Sequence, residues 1–306
     1  MSSQQGQHKK DESKVRAAAG KPQHLGDLKE GLAPGLYVTA TPIGNARDIT
    51  LRALDVLRGV DLIAAEDTRV TAKLLAIHGV SKPLAAYNDH NAARERPRLL
   101  GRLSAGARIA LVSDAGTPLV SDPGFKLVRA AIEQGLPVHA LPGASAALTG
   151  LVLSGLPSDR FLFAGFLPTK AGERQTVLDE LKTVRATLIF FESGPRLAES
   201  LGQMAEILGM RSGAVAREMT KLHEEVRRGT LAELAQSYAR EAPPKGEVTL
   251  LVSPPHAAET DFAAVDAALT AALAFMPLKP ASEMIADLTG VSRKIVYARG
   301  LEKKNG

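Results

Sequence analysis

Residues 107–135 read ARIALVSDAGTPLVSDPGFKLVRAAIEQG, and the fold turns on how this stretch divides. ARIALVSD is an apolar run of strand length, AGTPLVSDPG is a turn rich in Gly and Pro, and FKLVRAAIEQG repeats apolar residues at helical spacing up to Gly135. Strand, loop, helix is the unit, and it recurs on both sides. Upstream, LYVTATP begins after Gly35, closes at Pro42 and Gly44, and leads into the helical DITLRALDVLRGV. DLIAAE then reads as a buried strand and RVTAKLLAIHGV as a short helix ending at Gly79. Downstream, LPVHALPG is a strand with a loop and SAALTGLVLSG a helix. Strands alternating with helices of this length predict a mostly parallel, three-layer α/β sheet.

Pro157 and the following SDR mark a break, so the first α/β domain is expected over 34–157 and a second over 158–256. In the second, FLFAGFLP, the end of TVLDELKTVRATLIFFES, GAVAREMT and GEVTLLVSP read as four strands, with LAESLGQMAEILG the clearest helix. REMTKLHEE places Glu218 and Lys221, then Lys221 and Glu225, at helix-neighbour spacing, which reads as salt-linked helix surface or, equally, as a functional cluster. After His256 the chain turns Ala-rich and then basic. Helices are expected at about Phe262–Phe275 and Ala281–Leu288, with a turn at Gly290 and a last helix capped by Ser292, giving a helical extension over 257–306. The first 33 residues, rich in Ser, Gln, Gly, Lys and Glu, read as a disordered tail without a secretory signal.

The 306 residues suit two domains, and 45% apolar content excludes disorder as a global description. The absence of cysteine removes disulfide scaffolds, thiolate metal sites and cysteine nucleophiles, and fits a reducing cytoplasm. The uncharged stretch Ala140–Pro157 is broken by Pro142, Gly143, Gly150 and Gly155, so turns fit it better than a membrane helix and a soluble protein is expected. A net charge of +5 is compatible with a polyanionic partner.

Ligands in open α/β sheets bind beyond the carboxyl ends of strands. TPIGN, SDAGTPLVSDPG and LPGASAA should therefore converge on one edge, where their backbone groups can hold adenine, ribose or phosphate. Taken singly, each loop reads equally well as a plain turn. No Rossmann or Walker A glycine pattern is present. Acidic and polar residues gather nearby: Glu66 and Asp67 after a strand, Asp89, His90 and Asn91 in YNDHN, and Asp114 and Asp122 flanking AGTP. Each is a candidate ligand or catalyst, with helix capping as the alternative. No His and carboxylate spacing suits a metal, so none is expected. Arg293, Lys294 and Arg299, with Lys303 and Lys304, could meet a phosphate backbone, although solubility explains them nearly as well.

TPIGNARDITLRALDVL, AAEDTR, YNDHN, ALVSDAGTPLVSDPG, LPGASA, GLPSDRFLFAGFLP, FFES, REMTKLHEE and KGEVTLLV occur in that order from Gly35 to about Ser253. In this the chain resembles the 16S ribosomal RNA 2′-O-methyltransferases of the tetrapyrrole methylase-like superfamily. The resemblance implies a homodimer of two-domain α/β protomers that binds S-adenosylmethionine between the domains and methylates the ribose of a decoding-centre cytidine, cytidine 1402, of 16S ribosomal RNA within the 30S subunit. By the same resemblance, Pro42, Asp114, Ala115, Gly116, Leu119, Ser145 and Gly165, Phe166 and Leu167 are expected to contact the cofactor, with Met219 and Gly246 closing the second side. RNA is expected over Asn45, Glu66, Asp67, Arg69, Asp89, His90 and Asn91, and over the basic terminal helices. After FFE this chain has SGPR, where many members carry a histidine before the arginine; Arg196 is in place.

A neutral ribose hydroxyl is a poor nucleophile, so the site must orient it and give its proton a route. Asp89 or His90 is the expected residue for this, with Glu66 and Asp67 positioning the nucleotide and Arg69 meeting phosphate. Two other readings stay open at this point: a methylase of a corrin or porphyrin precursor, which shares the architecture, and a ribosome-assembly protein whose loops are structural.

Overall fold

The computed structural model describes residues 32–255 and 262–305, so the tail expected over 1–33 falls, apart from its last two residues, outside the described residues. The first sheet is built from β1 (Gly35–Thr39), β2 (Leu62–Ala65), β3 (Leu84–Ala86), β4 (Arg108–Val112) and β5 (Val138–Leu141) in the order β3-β2-β4-β1-β5, all parallel. Helices α1 (Leu51–Gly59), α2 (Thr68–Ile77), α3 (Ala92–Ser104) and α4 (Phe125–Glu133) cover it.

Alternation along the strands makes two cores. Tyr37, Ile63, Ala110 and Val112 face α1 and α2, while Leu36, Leu62, Ile109 and Leu111 face α3 and α4. Burial on both faces explains why these strands read as continuous apolar runs. Thr50 starts α1 by accepting a hydrogen bond from Ala53 N at 3.0 Å, and Asp67 does the same for α2 from Arg69 N at 2.8 Å. Two elements exceed the sequence expectation. β3 is only three residues of Leu and Ala, none fully buried, and α3, interrupted in pattern by Pro97, follows the YNDHN turn.

Helix α5 (Ala146–Ser154) follows β5 in the chain but packs on the second sheet: Ala147 and Leu151 sit among Ile189, Ala214, Ala216 and Leu251. Gly150 allows this approach, since a Cβ there would lie 3.0 Å from Thr249 Cγ2. The second sheet has β6 (Phe161–Phe166), β7 (Thr187–Ser193), β8 (Ser212–Arg217), β9 (Glu225–Thr230) and β10 (Glu247–Val252) in the order β6-β7-β10-β8-β9. β6 and β7 are parallel and the other pairs antiparallel. Helices α6 (Ala171–Leu181), α7 (Leu197–Leu208) and α8 (Leu231–Ala239) close its outer face over a core that includes Leu178, Phe190, Leu201 and Leu234.

The second sheet thus has five strands where the sequence predicts four. The added strand overturns the helical reading of REMTKLHEE: residues 218–224 are the turn between antiparallel β8 and β9, with Arg217 paired across the ladder to Glu225 at 3.0 Å. The chain ends in α9 (Phe262–Leu273), α10 (Leu278–Thr289) and α11 (Arg293–Asn305), packed on each other around Val265, Leu269, Ala281, Ile285 and Val296. α10 starts three residues earlier than the sequence predicts and ends on left-handed Gly290, as expected. Among the described residues no helix is long and apolar enough to cross a membrane.

Candidate active site

The strand order sets β4, β1 and β5 side by side, so the loops that follow them meet at one sheet edge, as the sequence predicts. Thr41 and Gly116 exchange both main-chain hydrogen bonds, at 2.9 and 3.0 Å, and Thr117 Oγ1 donates to Ala144 O at 3.1 Å. Gly116 has φ +80°, and a Cβ there would stand 3.3 Å from Ile43 Cγ2. Leu119 and Ser121 in the same loop, and Glu218 and Thr220 in the β8–β9 turn, are the non-glycine residues with left-handed φ among those described. Such strain persists only where surrounding structure enforces it, and it gathers at functional sites.

The β8–β9 turn forms the opposite wall. Lys221 Nζ lies 2.8 Å from Glu218 Oε1 and 3.9 Å from Glu247 Oε2, and Asn45 N donates to Thr220 Oγ1 at 3.0 Å, joining the turn to TPIGN. Gly44 lies under Lys221, and Gly246, at φ +94°, lies against the Glu218 carboxylate.

Between these walls is a cleft of about 290 Å³. Ile43, Val120, Ala146, Phe166, Phe191 and Met219 make its apolar lining. Six carboxylates, Glu66, Asp114, Asp122, Glu192, Glu218 and Glu247, face one cation, Lys221. Such a cavity favours a ligand with an apolar or planar part and positive charge. Burial raises the Glu66 carboxyl above the usual range, and the neighbouring Asp114, Asp89 and Asp67 charges add to it, against a hydrogen bond from Asp114 N. Asp114 is also raised, chiefly by burial, although its Oδ1 accepts from Asp67 N at 3.0 Å. Burial, reinforced by Glu66, pushes Asp122 up to about 6. Asp67 goes the other way, to about 2, because the Arg69 guanidinium and main-chain N–H both donate to it.

An open groove of about 490 Å³ continues from the cleft and shares Glu66, Asp114 and Ser121 with it. Asp67, Arg69, Asp89 and His90 line this groove, so the structure gathers the expected nucleotide-side residues beside the expected cofactor side. Asn91 faces inward: its Oδ1 accepts from Asn88 N and its Nδ2 donates to Ala86 O, both at 2.9 Å, so it builds the turn. Asn45 Oδ1 likewise accepts from Arg47 N at 3.1 Å and caps a short 3₁₀ turn.

Of the expected cofactor residues, Asp114, Ala115, Gly116, Ser145, Phe166 and Met219 line the cleft. Pro42 and Gly246 line an adjoining groove. Leu119 packs toward the first core, and Leu167 is buried in the second, so neither side chain lines the cleft. Gly165, at φ +68°, faces Ser121. Arg196 Nη2 donates to the carbonyls of Leu167 at 2.7 Å and Pro168 at 3.0 Å, fixing that loop. Arg196 is in turn 3.3 Å from Glu192, a buried carboxylate that accepts from Ser200 Oγ at 2.7 Å and Ser193 N at 2.8 Å. Phe191, Glu192 and Thr249 lie within the FFES and KGEVTLLV stretches but are not singled out there as site residues; an acid closing an apolar strand is the further hint for Glu192. Arg293, Lys294 and Arg299 lie on α11, outside the cleft lining. Arg299 is bound to Asp266 at 2.6 Å and stacks over Phe262, Arg293 pairs with Glu283 at 2.6 Å, and Lys294 is exposed.

Residues 35–235 match the family Tetrapyrrole (Corrin/Porphyrin) Methylases, and residues 259–304 match the RsmI C-terminal HTH domain. A protein of Mesorhizobium japonicum named ribosomal RNA small subunit methyltransferase I is 52% identical over 90% of this chain and 94% of its own length. Proteins of the same name from Erythrobacter litoralis and Escherichia coli O157:H7 are 53% and 46% identical, over 90% and 88% of this chain and 97% and 95% of theirs. Among solved structures, a diphthine synthase superposes with a TM-score of 0.57 at 17% identity, covering 71% of this chain and 89% of that one. A uroporphyrin-III C-methyltransferase of Thermus thermophilus in complex with S-adenosylhomocysteine gives 0.51 at 20% identity, over 71% and 96%; both likenesses concern the fold. The match across both sheets and the terminal helices, at about half identity, means that this chain belongs to the ribosomal RNA small subunit methyltransferase I family of the tetrapyrrole methylases.

Proposed function

We propose that this protein uses S-adenosylmethionine to methylate the ribose 2′ oxygen of a decoding-centre cytidine in 16S ribosomal RNA, acting as a homodimer on the 30S subunit. One observation carries the reading: an acidic, part-apolar interdomain cleft opens directly into a polar groove accessible to a large substrate, with Glu66, Asp114 and Ser121 common to both.

The lining suits the cofactor. When bound, S-adenosylmethionine supplies a methyl group activated by a cationic sulfur. Asp114, Ala115, Gly116, Ser145, Phe166 and Met219 would hold it, and the surrounding carboxylates balance its positive charge. Pro42, Leu119, Gly165, Leu167 and Gly246 shape the loops that carry those contacts. The same carboxylates repel phosphate, which keeps the RNA backbone out of the cleft and leaves it to the rim. Arg69, its side chain 86% exposed and lining the groove, would meet a phosphate, while Asp89 and His90 would orient the ribose and Glu66 and Asp67 position the nucleotide. Asn45 and Asn91 hold the loops on either side, and Arg293, Lys294 and Arg299 belong to the terminal helices that would extend the RNA contact.

The test is incubation with labelled S-adenosylmethionine and 30S subunits from a strain lacking this gene, followed by a 2′-O-sensitive cleavage profile of the 16S RNA. One newly protected decoding-centre cytidine is the expected result. Label on a base, or transfer to a tetrapyrrole precursor with none to RNA, would overturn the reading.

A further inference from the structure

We propose that Asp122 is the group that takes the proton from the ribose 2′ hydroxyl, a step that rests on the 2′-O-methylation read above. Asp122 stands where the two reactants must meet: it lines the cleft, and its neighbour Ser121 lines both cleft and groove. Its backbone is held there by force. Leu119 at φ +75° and Ser121 at φ +66° precede it, and Pro123 and Gly124 at φ +134° follow. A Cβ on Gly124 would come within 2.8 Å of Leu111 Cδ2, so the loop is seated tightly on the first core.

The other buried and half-buried carboxylates of the cleft are already engaged, as is Asp67 in the adjoining groove, while Glu247 is exposed at the rim, 3.9 Å from Lys221. Asp67 caps α2 and binds Arg69, Glu66 accepts from Asp114 N at 3.3 Å, and Asp114 accepts from Asp67 N. Glu192 is satisfied by Ser193, Ser200 and Arg196, and Glu218 by Lys221. Asp122 has the Ser113 hydroxyl, which it shares with the carbonyls of Ala115 and Gly116, each 3.4 Å away, and among the described residues neither a cation nor a main-chain N–H. The groups facing it are negative: Glu66 at the end of β2, Asp114 after β4 and Glu247 on β10, with Glu192, Glu218 and the cation Lys221 elsewhere in the same cleft. Burial and these charges favour its protonated form, which gives the carboxylate an affinity for a proton suited to neutral pH. Asp89 and His90 are exposed in the outer groove, a place for orienting the sugar rather than for receiving its proton within the cleft.

As the ribose oxygen forms its bond to the methyl carbon, the hydroxyl proton passes to an Asp122 carboxylate oxygen. The electron pair of the breaking carbon–sulfur bond stays on sulfur, which becomes a neutral thioether, and Asp122 later returns its proton to solvent.

Single-turnover methylation of unmodified 30S subunits, with S-adenosylmethionine prebound, tests this between about pH 5.5 and about pH 9. Wild type should show a rate that rises with pH and levels off, with a midpoint near the affinity set by the site. Asp122→Asn should be slower by about 100-fold or more and lose that rise, and Asp122→Glu should recover part of both. Calorimetric binding of S-adenosylmethionine to Asp122→Asn should stay within about threefold of wild type, since neutralising one of several carboxylates leaves the lining intact. Independently of activity, the carboxyl carbon resonance present in wild type and missing from Asp122→Asn should titrate near 6 in the ligand-free protein. An Asp122→Asn enzyme with wild-type rate and pH profile overturns the assignment, as does a resonance that titrates in the ordinary aspartate range. Wild type that transfers no methyl to ribose overturns the functional reading first, and the two failures are told apart by that arm.

Discussion

Gly246 shows how closely single residues set this site. Its φ of +94° is strained for any other residue, and a Cβ there would run into the Glu218 carboxylate that holds Lys221. Gly246→Ala should destabilise the protein by about 1–3 kcal/mol in urea denaturation and weaken S-adenosylmethionine binding, because Glu218 must swing away from Lys221. Asp122 makes the opposite prediction. Its folded-state affinity for a proton is raised from the ordinary 3.8 to about 6, so the folded protein binds this proton more tightly than the unfolded chain. Stability from this group is therefore full below about pH 4 and lost as pH rises through about 6. Asp122→Asn, which carries no charge to bury, should melt at a higher temperature than wild type at pH 8, with the advantage shrinking toward pH 4. A variant that melts lower at pH 8 would mean that the carboxylate is held by a favourable contact. Loss of activity with gain of stability is the pattern expected of a group strained for function.

At the level of elements, the 3₁₀ turn Gly194–Arg196 between β7 and α7 ties the second sheet to the cleft. Arg196 bridges two carbonyls of the β6–α6 loop and neutralises Glu192, whose side chain is fully buried. Arg196→Ala leaves that carboxylate without its cation and should cost about 2–4 kcal/mol in urea denaturation. It should also weaken S-adenosylmethionine binding in calorimetry by about tenfold, one released loop being comparable to about 1.4 kcal/mol. Arg196→Lys should restore stability more than affinity, because an ammonium cannot span both carbonyls in the planar fork of an arginine. None of this was legible in the sequence beyond the presence of FFES and Arg196, because the meaning of Glu192 comes from Ser200 and Arg196 across the turn, with no spacing rule to mark it. The first sheet was legible, since strands buried on both faces leave apolar runs, and Gly and Pro marked the three loops that meet at the cleft. β3 was not, being three small or partly exposed residues, nor was β9, an edge strand reading EVRRGT whose charges carry no alternation. The turn before β9 was hidden for a different reason: Glu218 and Thr220 take left-handed φ where a glycine would have announced it.

The terminal helices divide the basic residues of α11 into two kinds, and under the proposed function that division predicts how each would act on an RNA substrate. Arg299 faces inward, bound to Asp266 through two hydrogen bonds of 2.7 and 2.6 Å and stacked on Phe262, so it ties α11 to α9. Lys294 and Lys303 are exposed. A lysine that meets a phosphate releases counterions, so losing it weakens binding almost uniformly and lowers the salt slope by about one per contact. Lys294→Glu and Lys303→Glu should therefore raise KM for 30S subunits, flatten its dependence on salt, and leave both the melting temperature and calorimetric S-adenosylmethionine binding unchanged, since the cleft is lined by residues between Ile43 and Thr249. Arg299→Ala should act differently: the Asp266 pair and the Phe262 contact are lost, the small core around Leu269 and Ile285 loosens, and amide exchange in α9 and α11 should quicken before any change in salt slope is seen. Equal effects of all three variants on salt slope, with no change in exchange, would show that Arg299 spends its charge on RNA and not on the fold.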